Sequence, residues 1–241
     1  MEIFPAIDLR DGNVVMLTQG DYDRMDVYSN DPVEIARTFK DVGAKNLHVV
    51  DLDGAKDGRL MNFDSIKKIM VEGGLFVQVG GGIRDEERIR QYLDIGVNRV
   101  ILGTIAVQDF SFVEQMVKKY KEKIAVGVDA KDGYVAVEGW RESTNVSALE
   151  FCQRLEDAGV QTIIYTDIIK DGKLSGTNLE VYKTLSTRDV KVVASGGISY
   201  EHEITELRSM NLYAAIVGKA LYTGMLDLKN VLRLASGKQE A

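Results

Sequence analysis

The chain is short of the residues that build cross-links and metal centres. Its 241 residues include a single cysteine, Cys152. That rules out an internal disulfide framework and fits a reduced, cytoplasmic setting. Two histidines, His48 and His202, are too few for a His/Cys zinc site, so no metal is expected. Positive charge is not in excess either. A net charge of −7 argues against nucleic acid or a membrane surface as partner. No apolar run is long enough to span a bilayer. Pro5, Asp8, Arg10 and Asp11 interrupt the N-terminus where a signal peptide would be apolar. Glycine, by contrast, is plentiful at 23 residues, pointing to tight turns or close approach of backbone to a ligand.

Short apolar runs alternate with amphipathic segments along the chain. The runs are Ile3–Leu9, Asn46–Leu52, Phe76–Gly82, Arg99–Thr104, Ile124–Ala130, Thr162–Ile168, Lys191–Gly197 and Ala214–Ala220. Several are nearly continuous in apolar residues, as parallel strands covered on both faces require. The segments between them read as helices near Phe63–Glu72, Asp85–Ile95, Phe110–Tyr120, Ser147–Ala158, Asn178–Leu185, Tyr200–Met210 and Leu226–Leu234. A further helix opens at Asp31-Pro32, with Asp31 as N-cap, and stops at Gly43. Alternating strands and helices in this number predict a (β/α)₈ barrel; an open doubly wound sheet is the structural alternative.

The chain also repeats itself. Asp8, Asp11 and Gly12 align with Asp129, Asp132 and Gly133 at one offset. Gly81, Gly82 and Gly103 align with Gly196, Gly197 and Gly218 at another. Asp51 pairs with Asp167, and Lys56–Leu60 (KDGRL) resembles Lys170–Leu174 (KDGKL). The barrel is therefore expected as two half-barrels, roughly residues 1–122 and 123–241, within one domain. The repeat is too long for a solenoid unit.

In each half one strand ends in Gly-Gly before a helix and the next ends in another glycine. Backbone N–H groups there can approach an anion, helped by a helix N-terminus. Gly81, Gly82, Gly103 and Thr104 make one candidate phosphate site, with Arg84 as a bidentate cation. Gly196, Gly197 and Gly218 make the other, with Lys219 as its cation. The bland alternative, that the glycines merely allow tight turns, explains one such pair more easily than a two-fold set. Two sites across a barrel mouth imply a long small-molecule substrate with a phosphate at each end.

Asp8 and Asp129 end strands one and five, which face each other, so both carboxylates fall at the mouth between the phosphates. Opposed carboxylates suit general acid and base work, provided the acid has a raised pKa. Asp51 and Asp167 read as loop-ordering residues. Thr166 near the end of strand six, and His48 deeper in strand two, can each be either a core residue or a substrate contact. Trp140, the only tryptophan, is either core or a residue that stacks on a planar heterocycle. His202 lies between Glu201 and Glu203 and is expected at the surface.

Together PAIDLRDG, HVVDLDGA, VGGGIR, EGWRE, TDIIKDGKLSGTN, ASGGIS and VGKALY resemble, in order and over nearly the whole chain, the phosphoribosylformimino-5-aminoimidazole carboxamide ribotide isomerases of histidine biosynthesis. The resemblance implies an Amadori rearrangement of a bis-phosphorylated aminoaldose to its aminoketose, without cofactor. It implies Asp8 as the base that removes the C2′ proton and Asp129 as the acid on the ring oxygen. His48 and Thr166 match positions near the substrate, Trp140 a stacking loop residue, and Gly176 falls in the matching TDIIKDGKLSGTN segment. A monomer is expected. Where Arg84 stands in the first phosphate motif the second has Ser199, so that site leans on backbone amides. The sister cyclase barrel of imidazole glycerol phosphate synthase is the nearest rival. It typically carries Cys-Leu-Asp and ASGGAG where this chain has Ala6-Ile7-Asp8 and Ile198-Ser199. A non-catalytic phosphate sensor would not need both aspartates. A Schiff-base aldolase would need a lysine inside a strand's C-terminal end. An isomerase that also converts phosphoribosylanthranilate stays open.

Overall fold

The computed structural model describes residues 1–58 and 61–237; Arg59 and Leu60 of the KDGRL segment lie outside the described residues. Eight parallel strands close on themselves: β1 (Glu2–Arg10), β4 (Asn46–Asp51), β5 (Phe76–Gly80), β6 (Arg99–Leu102), β7 (Ile124–Lys131), β10 (Thr162–Asp167), β11 (Lys191–Ser195) and β12 (Ala214–Val217). Each pairs with the next around the ring, β7 pairs with β10, and β12 pairs with β1, so the eight-stranded ring itself is closed. The fold is the (β/α)₈ barrel that the alternating pattern predicts.

The eight expected helices are present within a residue or two of their predicted ends. Local chemistry explains the boundaries. Asp31 accepts from Val33 and Glu34 N–H, Pro32 opens the helix Pro32–Val42, and Gly43 ends it in the left-handed region at φ 109. Asp85, Asp109, Ser147, Asn178 and Asp227 cap later helices in the same way.

Strand alternation sorts the core into two layers. Ile3, Ile7 and Leu9 of β1 face the helices in a large outer core. Phe4 and Ala6 face inward, with Ile101, Ala125, Ile164, Val193, Ala214 and Ile216 from other strands. Asp8 continues the inward series and reaches the open end.

Residues 13–29 and 134–147 hold strands that the eight apolar runs did not include. β2 (Asn13–Thr18) and β3 (Asp21–Ser29) continue antiparallel from β1, and β8 (Tyr134–Val137) and β9 (Glu142–Ser147) do the same from β7. The Asp11-Gly12 and Asp132-Gly133 turns that start them have φ of 48 and 78, and 50 and 84. Two successive positive φ values are the hairpin signature of Asp-Gly.

Candidate functional site

A cavity of about 250 Å³ opens at the C-terminal ends of the barrel strands. Asp8, His48, Gly81, Gly82, Arg84, Gly103, Thr104, Asp129, Trp140, Thr166, Gly196, Gly197, Gly218 and Lys219 all line it. Gly176 does not. Its carbonyl lies behind Gly197, where an added Cβ would sit 2.8 Å from it. Gly176 therefore shapes the loop that carries the site.

Going round the barrel, β5 and β11 lie four strands apart, as do β1 and β7. The two glycine sites and the two strand-end aspartates are thus each opposed across the mouth. A Cβ on Gly82 would lie 1.8 Å from the Gly54 carbonyl oxygen, and its counterpart Gly197 is crowded by Lys170 and Gly176. Packing behind each turn thus demands glycine, whatever binds in front. The short helices Thr104–Gln108 and Lys219–Tyr222 start from Gly103 and Gly218 with nearly equal backbone angles, and neither start carries a side-chain cap. Their first N–H groups remain available to an anion in the cavity.

The cations differ between the sites. Arg84 is exposed and makes no ion pair among the described residues. Lys219 is engaged: its ammonium donates to Thr18 Oγ1 at 2.9 Å and pairs with Asp26 at 3.2 Å. At the equivalent position Thr104 Oγ1 accepts from Glu138 N–H at 2.9 Å. Each half's hairpin thus docks on the other half's short helix.

Asp8 is pushed up to about 8, first by desolvation and then by the charge of Asp171. Burial also raises Asp129, but the Trp140 indole and the Thr166 hydroxyl donate to it and pull back towards the carboxylate. Trp140 packs on Gly20 of the β2–β3 turn, where an added Cβ would meet its ring at 2.4 Å. Asp171 is an acidic residue of the cavity that sequence reasoning missed. It lines the cavity and is raised to about 7 by burial and by Asp129, with Lys219 opposing. Its carbonyl accepts from Gln19 N–H at 3.2 Å, which joins its loop to the β2–β3 turn. The KDGKL repeat was the available signal, but a charged loop triplet ordinarily marks a solvated turn.

His48 and Thr166 lie on the cavity wall. His48 is held neutral, its pKa lowered to about 3 by desolvation and by Arg99. Asp51 and Asp167 order loops. Asp51 accepts from Gly54 N–H and Asn62 Nδ2, and Asp167 from Ile169 N–H and Asn178 Nδ2. His202 is exposed and stacks on Tyr200. Among the described residues no helix is long and apolar enough to cross a membrane.

Comparison with known proteins agrees with this geometry. The family model described as histidine biosynthesis protein matches residues 2–227. A protein of Brachyspira hyodysenteriae is 52% identical over 236 residues, spanning 98% of this chain and 99% of its own length. One from Clostridioides difficile is 46% identical over 235 residues (97% and 98%), and one from Oceanobacillus iheyensis 48% over 233 residues (96% and 97%). All three are named as isomerases of an imidazole-4-carboxamide bearing two 5-phosphoribosyl groups. A closed barrel with a two-fold site, matched nearly end to end by these relatives, places the chain in the histidine biosynthesis protein family, among its isomerases.

Proposed function

We propose that the protein converts a bis-phosphorylated N-ribosyl aminoaldose, the phosphoribosylformimino-5-aminoimidazole carboxamide ribotide, to its aminoketose. The observation that carries this reading is the placement of the acidic groups between two opposed, cap-free glycine sites in one cavity. Each end phosphate is held by backbone N–H groups, with Arg84 adding charge at the first site. The reacting ribose then lies over Asp8 and the Asp129–Asp171 pair.

An acid first protonates the ring oxygen. The C1′–O bond breaks, leaving an open chain with an iminium at C1′. Asp8 removes the C2′ proton and the electron pair moves to the iminium, giving an enolamine. Proton return to C1′ and loss of the hydroxyl proton at C2′ complete the ketose. Asp129, the acid expected from the sequence, accepts hydrogen bonds from Trp140 and Thr166, which favour its carboxylate. Its neighbour Asp171 lines the same cavity, and burial together with the charge of Asp129 raises its pKa as well. We therefore assign the acid to the Asp129–Asp171 pair, which shares the proton. Trp140 and Thr166 orient Asp129, and Trp140 also offers a ring face to the imidazole. In this reading the enzyme is a single domain that acts as a monomer.

The test is to supply the purified protein with the aminoaldose and follow ketose formation by absorbance. Asp8→Asn is expected to lower kcat by roughly 10²–10⁴-fold, the usual worth of a general base, while substrate binding persists. Turnover near that of the parent would remove Asp8 from the base role.

A further inference from the structure

Three neighbouring strands of the first half carry a polar row inside the barrel. The register sets His48 of β4 beside Gln78 of β5, and Gln78 beside Arg99 of β6. Arg99 is only 3% exposed and has no carboxylate partner among the described residues. Its guanidinium lies 5.6, 5.2 and 5.7 Å from the ring centres of Phe4, Phe76 and Tyr213. Its Nε and Nη2 donate to Gln78 Oε1 at 3.1 and 2.6 Å, and its Nη1 to Thr162 Oγ1 at 3.1 Å. The Gln78 Nε2 sits 3.0 Å from His48 Nδ1.

Hydrogen-bond chemistry fixes every orientation in this row. A guanidinium can only donate, so the amide oxygen of Gln78 must face Arg99. The amide nitrogen must then face His48, and it too can only donate. His48 Nδ1 must therefore accept, which leaves the ring proton of neutral His48 on Nε2. Nε2 has no protein partner among the described residues, and His48 lines the cavity.

We propose that Arg99 and Gln78 are positioning residues that lock His48 in its Nε2–H tautomer, so that His48 donates a hydrogen bond to an oxygen acceptor of the substrate. The substrate half of this proposal rests on the isomerase reading above; the tautomer lock does not. In this role His48 is never a base. It recognises an oxygen of the ribose or the carboxamide one pleat below Asp8, since Ala6 is registered on His48 and Asp8 on Val50. A buried arginine without a carboxylate is costly unless its donors are satisfied, and fixing the donor row gives this one a use.

The test uses the full chain with isotopically labelled histidines, whose ring nitrogen signals distinguish the two neutral tautomers by NMR. Only His48 and His202 contribute, and His202→Gln assigns them. The expected result is Nε2–H for His48 in the parent and in Arg99→Lys, which keeps a cationic donor. Gln78→Glu, which can only accept, is expected to move the proton to Nδ1. Gln78→Met, which bridges nothing, is expected to give a mixture and covers the case in which the glutamate variant does not fold. A parent His48 protonated on Nδ1, or a tautomer unchanged in Gln78→Met, overturns the lock.

In turnover, Gln78→Glu is expected to raise KM for the aminoaldose roughly tenfold, about the loss of one good hydrogen bond, with a smaller change in kcat. A flipped tautomer with unchanged KM overturns the donor role. Adding the aminoaldose is also expected to shift the His48 Nε2–H signal, with or without turnover, and no shift again overturns the donor role. A parent that binds the aminoaldose but never converts it would sink the isomerase reading and leave the lock standing.

Discussion

The same barrel row is built twice, in opposite chemistry. In the first half the registered residues are Ala6, His48, Gln78 and Arg99. In the second they are Gly127, Ile164, Val193 and Ala214, of which the last three belong to the inner apolar core. The helices after the glycine turns differ as well. Arg88 of the first half donates to the Gly58 carbonyl at 3.1 Å. Its repeat counterpart Glu203 is only 2% exposed and accepts from Thr177, Ser199 and Tyr200 N–H. The backbone plan tolerates either sign because what it requires is a satisfied loop, not a given charge. The turns, glycines and strand-end aspartates are kept in both halves. The side chains around them differ: the first half carries Arg84 and the His48, Gln78 and Arg99 row, the second Asp171.

The largest expected effect tests the acidic side of the cavity. With Asp8 at about 8 and Asp171 at about 7, kcat/KM should follow a bell in pH with its maximum between those values. Asp171→Asn should lower kcat by roughly 10²–10⁴-fold and remove the alkaline limb from the residual activity. A retained alkaline limb would return the acid role to Asp129 and restore symmetry between the halves.

The next effect is on stability. Unfolded Asp8 loses its proton near pH 4, whereas the folded protein holds it to about 8. Between those values the folded state binds more protons, so this group lowers stability as pH rises. Asp8→Asn removes that burden. It should melt higher than the parent at pH 8, and the difference should vanish towards pH 4. An equal melting temperature at pH 8 would mean that Asp8 ionises normally.

A smaller contrast separates the two proposed phosphate sites. Arg84→Ala should raise KM on the order of tenfold or more, as loss of a charge-assisted contact does. Ser199→Ala should leave it within about threefold, because Ser199 Oγ is already spent on the Gly197 carbonyl. Equal effects would mean that both sites rest on backbone alone. The smallest contrast lies behind the turns. Glu203→Gln should cost about 1–3 kcal/mol in denaturant unfolding by weakening charge-assisted acceptors at buried N–H groups. Arg88→Gln should cost less, since it loses one bond to a carbonyl near the surface. A larger loss at Arg88 would reverse the ranking.

Much of this was legible beforehand because it is written in local signals. Asp31-Pro32 and Gly43 mark a helix by chemistry that acts within a few residues. The eight apolar runs mark strands because both faces of a parallel barrel are covered. The hairpins were missed although Asp11-Gly12 and Asp132-Gly133 announce them, because the polar run of β3 does not look like a strand in isolation. Asp171 was missed because its KDGKL context reads as solvated. Its proton affinity comes from burial and from Asp129, which lies on β7. Lys219, expected as the cation of the second glycine site, lines the cavity and also pairs with Asp26 of a hairpin from the other half, a contact no local signal announces.

The sequence by itself determined the strand and helix alternation, the internal repeat and the two opposed glycine turns, because periodicity, capping and spacing are properties of the chain. Only the tertiary structure decided which polar groups lose their water. It brought Asp171 beside Asp129, set Arg99 against Gln78 and His48, and folded each hairpin over the neighbouring half. Desolvation and hydrogen-bond direction depend on what surrounds an atom, and those surroundings come from residues far apart in the chain.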